Sequence, residues 1–130
     1  MEPDRRTEDR LLPIQAELVA LEPIFHHPEL GTSRAVYEGM TEHTFWEVGA
    51  SGRIYSREHV VQTLLERYAT PYKDEWRTEQ FYCQELAATM YLLTYTLHQG
   101  PRVTRRATVW RRAATGWKIV FHQGTVVEGS

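Results

Sequence analysis

Apolar side chains in the first part of the chain recur every three or four residues, the spacing of one face of a helix. This stripe predicts a first helix, with Pro13 in its first turn and Pro23 ending or kinking it. Its members are Leu11, Ile14, Leu18, Leu21 and Phe25. The ten residues before it are mostly polar or charged, and we expect them to form a frayed tail.

Two further helices and a small hairpin are predicted before residue 72. Ser33 is a suitable N-cap for a short helix with Val36, Tyr37 and Met40 on one side. Ser56 caps a third helix that turns Val60, Leu64, Leu65 and Tyr68 inward. Between these helices, T-F-W-E-V at 44–48 and R-I-Y-S at 53–56 flank the turn G-A-S-G and predict a hairpin.

The second half of the chain has long runs of strand-forming residues. Four runs, at 78–86, 89–99, 102–112 and 117–127, are separated by A-A, G-P and A-A-T-G, which predicts an antiparallel meander. We therefore expect an α+β fold, a cone-like roll of three N-terminal helices packed on a curved, mostly antiparallel sheet. The length of 130 residues fits one domain, which we place at 11–127 after the tail 1–10.

Alternation in the last two runs predicts that both faces of the sheet are covered. In the final run Trp117, Ile119 and Phe121 lie on one face, and Lys118, Val120 and His122 on the other. In the run before it, the arginines lie near the ends and the middle of each face is apolar. A sheet with one solvated face alternates apolar and polar residues instead. We therefore expect a homodimer through the sheet face.

Composition narrows the class of protein. The chain is 42% hydrophobic and 25% charged, which is typical of a soluble globular protein. Its net charge of -2 gives no general attraction to nucleic acid or to an anionic membrane. No apolar run has the length of a membrane span, and the charged start lacks a signal-peptide pattern. With one cysteine, Cys83, an internal disulfide is excluded, and we expect a cytoplasmic location.

Several short motifs occur in a characteristic order over residues 10–127. They are F-W-E-V-G-A-S-G-R at 45–53, R-E-H-V at 57–60, L-L-T-Y at 92–95, V-W-R-R at 109–112 and G-W-K-I-V-F-H-Q-G-T at 116–125. In the order and spacing of these motifs, the chain resembles the nuclear transport factor 2-like superfamily, and within it the small bacterial single-domain branch called domain of unknown function 4440. The resemblance implies a cone with a pocket, usually in a dimer. The superfamily includes isomerases, dehydratases, cyclases and purely binding or assembling members, so the fold does not settle the function.

Glu47 is the first candidate for chemistry, because it lies between Trp46 and Val48 in a predicted strand. If its carboxyl group points into the cone, burial raises its pKa and suits it to act as a general base. In the enzymes that the chain resembles, a carboxylate near this strand often abstracts a proton from a carbon acid. Two alternatives stay open: Val48 is the equivalent position, or Glu47 pairs with Arg53 or Arg106.

Several further residues are candidates for the same pocket. Tyr95 and His122 are candidate donors to a developing negative charge, with packing or a satisfied structural role as the alternative for each. Parity alone does not tell whether His122 or its neighbour Gln123 points inward. Trp110 is a pocket wall or a dimer contact, and Arg106 or its neighbour Arg105 is suited to hold a small anion.

Other kinds of site lack the spacing they need. Arg53 stands where a G-x-S-x-G motif requires its last glycine, and neither H-E-x-x-H nor paired cysteines occur, so we expect no metal and no cofactor. The sequence predicts a small-molecule-binding domain, with cofactor-free isomerase, dehydratase or cyclase chemistry as its enzymatic form. The alternative is a non-catalytic dimerisation or assembly module with a filled pocket. A cavity of a few hundred Å³ around Glu47 distinguishes the two.

Overall fold

The computed structural model describes residues 1–129. It contains three α-helices and one six-stranded sheet. The helices are α1 Leu12–Val19, α2 Arg34–Gly39 and α3 Arg57–Arg67. The strands are β1 Thr41–Val48, β2 Ile54–Ser56, β3 Arg77–Ala87, β4 Met90–Gln99, β5 Arg102–Ala113 and β6 Gly116–Val126.

The strands lie in the order β2-β1-β6-β5-β4-β3. All neighbouring pairs are antiparallel except β1 and β6, which run parallel. The α+β class and the mostly antiparallel sheet are therefore confirmed. The helices do not form one block at the N-terminus, because α1 and α2 precede β1 whereas α3 follows β2.

Two helices begin at the serine residues predicted to cap them, whereas the first helix ends earlier than its apolar stripe predicts. The hydroxyl groups of Ser33 and Ser56 accept the backbone N–H groups three residues later, at 3.2 and 3.1 Å, so both predicted N-caps are confirmed. Helix α1 is shorter than its apolar stripe and ends at Val19. The chain continues in turns towards Pro23, which has no N–H to donate to another helical turn.

A bulge in β6 decides which way His122 points. Val109 pairs with Phe121 and Trp110 pairs with Ile119, so Val120 is an extra residue without an opposite partner. An extra residue reverses the alternation of side chains beyond it. Ile119 and His122 therefore share the inner face of the sheet, the face on which the helices pack.

The core lies between that inner face and the helices. It includes Leu18 of α1, Val61 and Leu64 of α3, and Leu93, Leu97 and Ile119 of the sheet, all buried. On the outer face, a row of apolar side chains crosses four neighbouring strands at one register level. This outer row consists of Trp46, Phe121, Val109 and Leu92. Both faces thus have apolar centres, as expected. The predicted grouping of Ile119 with Phe121 on one face and His122 on the other is wrong, because the bulge turns Phe121 outward and His122 inward.

Thr7, within the N-terminal segment, packs against the sheet edge. It is buried, and its hydroxyl accepts the N–H of Cys83 on β3 at 3.0 Å. A single 3₁₀ turn at Asp9–Leu11 then leads into α1. In the described part of the chain, no helix combines the length and apolarity needed to cross a membrane.

Candidate functional site

A polar row occupies one half of the inner face of the sheet. Tyr55 on β2 pairs with Glu47 on β1, Glu47 with His122 on β6, and His122 with Thr108 on β5. Paired residues on neighbouring strands point to the same face. Further along this level the row becomes apolar, with Leu93 and Cys83. Tyr55, Glu47 and His122 of this row line a cavity, whereas Thr108 is buried behind them.

This polar cavity has a volume of about 410 Å³. Helix α3 lines it with His59, Thr63 and Arg67, which are four residues apart and therefore share one helix face. The other polar residues that line it are His26, Glu47, Ser51, Tyr55, Arg102, Arg106 and His122. The lining thus contains three arginines and one carboxylate.

Glu47 faces this cavity without a close partner. Burial raises the pKa of its carboxyl group, an effect that the charges of Arg106, Arg67 and His59 partly oppose. No hydrogen bond or ion pair within 4.0 Å joins the Glu47 carboxylate to any of residues 1–129. The pairing with Arg53 or Arg106 that the sequence left open is therefore not the arrangement found, and the carboxylate is free to act on a ligand.

His122 is neutral and fixed in orientation. Its side chain is only 2% exposed, and burial lowers its pKa to about 3. Its Nε2 lies 3.3 Å from Nη1 of Arg106 and its Nδ1 lies 2.9 Å from the Thr108 hydroxyl. Because arginine only donates, Nε2 accepts and the ring proton is on Nδ1, which donates to Thr108. His122 therefore positions Arg106 rather than offering a proton to the cavity.

The Arg106 side chain is held at the cavity by hydrogen bonds to neighbouring side chains, and it fits there because Gly124 beneath it has no side chain. Its Nε donates to the Thr104 hydroxyl at 2.9 Å. The guanidinium lies over Gly124, where an added Cβ would be 3.2 Å from Nε. Among the described residues no carboxylate lies within 4.0 Å of it, and burial lowers its pKa. The result is an oriented cation whose charge is not neutralised by an ion pair.

Glu22 is a site residue that the sequence did not single out. Its side chain is 1% exposed, and burial raises its pKa while four donors oppose that rise. The donors are the Tyr95 hydroxyl at 2.7 Å, the Ile24 N–H at 3.0 Å, the Trp110 indole N–H at 3.1 Å and the Thr108 hydroxyl. One feature of the sequence indicates that Glu22 is buried. It stands four residues after Leu18 and three before Phe25, and therefore on the apolar stripe.

The candidate residues fall into two groups. Glu47, His122 and Arg106 line the polar cavity together. Tyr95 does not reach it, because its hydroxyl is buried and donates to Glu22; burial also raises the pKa of Tyr95, so it stays protonated. Trp110 lines a separate apolar pocket. Gln123 is exposed on the outer face, paired with Ala107 and Val48.

The described residues contain no group of three His, Cys, Asp or Glu side chains that could hold a metal ion. The polar cavity is instead lined by donors, acceptors and one free carboxylate. What this arrangement can do is bind an anion and exchange a proton with it.

Comparison with known proteins identifies the fold. No family profile and no curated protein match the sequence. Among solved structures, a protein of unknown function from the DUF3225 family of Pectobacterium atrosepticum has a TM-score of 0.66 at 18% identity, covering 98% of this chain and 99% of that one. A proposed ketosteroid isomerase from Parabacteroides distasonis has a TM-score of 0.67 at 16% identity, covering 98% of both chains.

A third solved structure is similar to this chain. It is an NTF-2 like protein of unknown function from Silicibacter pomeroyi, with a TM-score of 0.64 at 14% identity over 88% of this chain and 97% of that one. These similarities establish a nuclear transport factor 2-like fold. At such low identity they carry no residue roles.

Proposed function

We propose that the polar cavity binds a small anionic molecule and that Glu47 acts there as a general base on a carbon acid. The reaction is cofactor-free and of the isomerase, dehydratase or cyclase kind. The observation that carries this proposal is the unpaired Glu47 carboxylate in a cavity of about 410 Å³ that three arginines also line. A cavity of this size and polarity argues against the alternative of an assembly module with a filled pocket.

The arginines specify the charge of the ligand. Three of them face one carboxylate in the lining, so the cavity carries a surplus of positive charge. Arg106 uses Nε on Thr104 and Nη1 on His122, which leaves its Nη2 directed to neither. Nη2 can therefore donate a charge-assisted hydrogen bond to an anionic ligand. Arg67 and Arg102 add charge at the same cavity.

The chemistry follows from two neighbouring groups of opposite charge. Glu47 takes a proton from a carbon next to a carbonyl group, the C–H electron pair moves into the new C=C bond, and the carbonyl oxygen becomes an enolate. A raised pKa makes the carboxylate a stronger base near neutral pH. Arg106 stabilises the enolate oxygen, as a fixed donor does in an oxyanion hole. Glu47 then returns the proton to another carbon or to a leaving group.

We also propose a family branch, a reaction class and a cellular location for the protein. The motifs at 45–53 and 116–125 support membership of the domain of unknown function 4440 branch. The name of the Parabacteroides distasonis structure, a proposed ketosteroid isomerase, agrees with carbon-acid chemistry in this fold. The single cysteine, Cys83, is free and buried, which suits the reducing conditions of the cytoplasm.

Proton abstraction can be tested without knowing the natural substrate. The protein is incubated in D₂O with 2-oxobutyrate, 2-oxoglutarate and acetoacetate, and ¹H NMR follows the loss of the C–H signals next to the carbonyl. We expect catalysed exchange of at least one of these anions, and a loss of roughly 100-fold or more in Glu47→Gln. The matched control is Glu42→Gln on the same strand, whose carboxylate is paired with Arg111 and which should exchange as the unmodified protein does. Equal rates for Glu47→Gln and the unmodified protein would contradict the proposal.

We further propose that two chains pair through the outer face of the sheet. The outer row presents Trp46, which is 42% exposed and whose ring centre lies 4.7 Å from that of Phe121. On the same face, Ile54 pairs with Val48 and is 72% exposed. Sedimentation should give about 30 kDa, twice the chain mass of 15.2 kDa, and Trp46→Glu should give the monomer. A monomer of the unmodified protein at micromolar concentration would refute the pairing.

A further inference from the structure

A second cavity, the apolar pocket, lies beside the polar one. Its volume is about 260 Å³, and Ile24 and Phe25 line both cavities, so the segment that follows Glu22 separates them. Most of its wall is apolar and includes Leu21, Met40, Trp110, Trp117 and Ile119. The two cavities therefore differ in the chemistry they offer to a ligand.

One polar group in this apolar wall has no protein partner. Tyr37 of α2 is 2% exposed, and its hydroxyl makes no hydrogen bond to any of residues 1–129. Buried hydroxyl groups are nearly always paired, because an unpaired one loses its hydrogen bonds to water without replacement. Burial also raises the pKa of Tyr37, so the hydroxyl keeps its proton and can donate it.

The other polar side chains that line the pocket are already engaged. The Tyr68 hydroxyl donates to the Phe25 carbonyl at 2.9 Å. The His27 ring nitrogens lie 2.7 Å from the Glu29 carboxylate and 2.9 Å from the Glu22 carbonyl. The indole N–H groups of Trp110 and Trp117 donate to Glu22 and Glu17 at 3.1 and 3.3 Å. The pocket thus offers a ligand one available donor on an apolar wall.

The pocket opens near the turn at Pro28–Leu30. Leu30 at its rim is 47% exposed, and Gly31 follows with a φ of 115°. A side chain at Gly31 would also meet Val36 of α2, since an added Cβ would lie 2.7 Å from its Cγ2. The glycine therefore lets the turn lie close to the helix that carries Tyr37.

We propose that the apolar pocket binds a neutral, mainly apolar molecule of about two fused rings, whose single oxygen acceptor takes the hydrogen bond of the Tyr37 hydroxyl. The size follows from the volume, since an apolar cavity of about 150 Å³ holds one benzene ring and this pocket is larger. The site is separate from the polar cavity and does not depend on proton abstraction by Glu47.

The test uses two compounds that differ by one carbonyl group, 1-tetralone and tetralin. Calorimetric titration should show that the unmodified protein binds 1-tetralone about five- to tenfold more tightly, the value of one hydrogen bond. Tyr37→Phe should remove this preference by weakening 1-tetralone alone. Tyr55→Phe, a matched change in the polar cavity, should leave both affinities as they are. In ¹H–¹⁵N NMR spectra, 1-tetralone should shift the indole signals of Trp110 and Trp117.

Three outcomes would overturn the proposal. The first is that Tyr37→Phe retains the full preference for 1-tetralone. The second is that the unmodified protein binds tetralin as tightly as 1-tetralone, which would mean that the hydroxyl serves only a water molecule. The third is that 1-tetralone leaves both indole signals in place or shifts the His59 signals instead. The NMR measurement needs no variant, so it decides the matter even if Tyr37→Phe fails to fold.

Discussion

Removing the hydroxyl group from Tyr68 should destabilise the protein, whereas removing it from Tyr37, in the same apolar pocket, should not. The Tyr68 hydroxyl donates to the Phe25 carbonyl at 2.9 Å, whereas the Tyr37 hydroxyl is buried without a partner among residues 1–129. A phenylalanine at either position keeps the ring and its packing. The comparison therefore isolates the hydrogen bond.

The size of each effect follows from these contacts. Loss of a hydrogen bond costs about 0.5–1.5 kcal/mol. Phe25 has a φ of 66°, a strained conformation for an aromatic residue that costs of order 1–3 kcal/mol and needs support from its surroundings. We expect Tyr68→Phe to lower the free energy of unfolding by about 1–2 kcal/mol. Tyr37→Phe should leave it unchanged or raise it by about 1 kcal/mol, because an unpaired buried hydroxyl is costly.

Urea denaturation followed by circular dichroism measures both changes. With a slope of about 2 kcal/mol per M, the Tyr68→Phe midpoint should fall by roughly 0.5–1 M while the Tyr37→Phe midpoint stays or rises. Tyr72→Phe is the control, since Tyr72 is exposed and its change should be within about 0.5 kcal/mol. If Tyr37→Phe loses as much stability as Tyr68→Phe, the Tyr37 hydroxyl has a structural partner and the reasoning is wrong.

Three further predictions concern the polar cavity. Gly124→Ala should displace the Arg106 guanidinium, since the new Cβ would stand 3.2 Å from Nε. Calorimetry should show weaker binding of the oxo acid whose exchange the protein catalyses, and unchanged affinity would contradict this geometry. Burial raises the pKa of Glu47, so deuterium exchange should rise with pH above the usual glutamate range near about 4.3. A folded pKa above the unfolded one makes the native state lose stability as pH rises through it. Glu47→Gln should therefore be at least as stable as the unmodified protein at pH 7, with a smaller difference at pH 4; a variant less stable at pH 7 would indicate a structural ion pair.

Features that depend on a few neighbouring residues could be predicted from the sequence. The caps at Ser33 and Ser56 are examples, because the hydroxyl group and the N–H it accepts are three residues apart. The long strands of the second half follow equally from local composition and short turns. The parallel pairing of β1 with β6 could not be predicted in this way, because it joins segments about 75 residues apart.

In the candidate site, too, features set by neighbouring residues could be predicted and features set by distant segments could not. Glu47 was identified because it stands between apolar strand residues, but the direction of His122 depended on the bulge at Val120. No local pattern marks that bulge, since its signal is the register of β5 against β6. Glu22 was missed because an acidic residue beside Pro23 resembles an ordinary helix end. Its burial depends on donors from Tyr95, Thr108 and Trp110, more than 70 residues away.

A crystal structure of the protein with 2-oxobutyrate, 2-oxoglutarate or acetoacetate, whichever shows the fastest catalysed exchange, examines the proposed chemistry most directly. We predict the carbonyl oxygen of the ligand on the guanidinium of Arg106, with the carbon next to the carbonyl group about 3–3.5 Å from the Glu47 carboxylate. A ligand bound outside the polar cavity, or a Glu47 carboxylate turned into an ion pair with an arginine while the ligand lies elsewhere, would contradict the proposal.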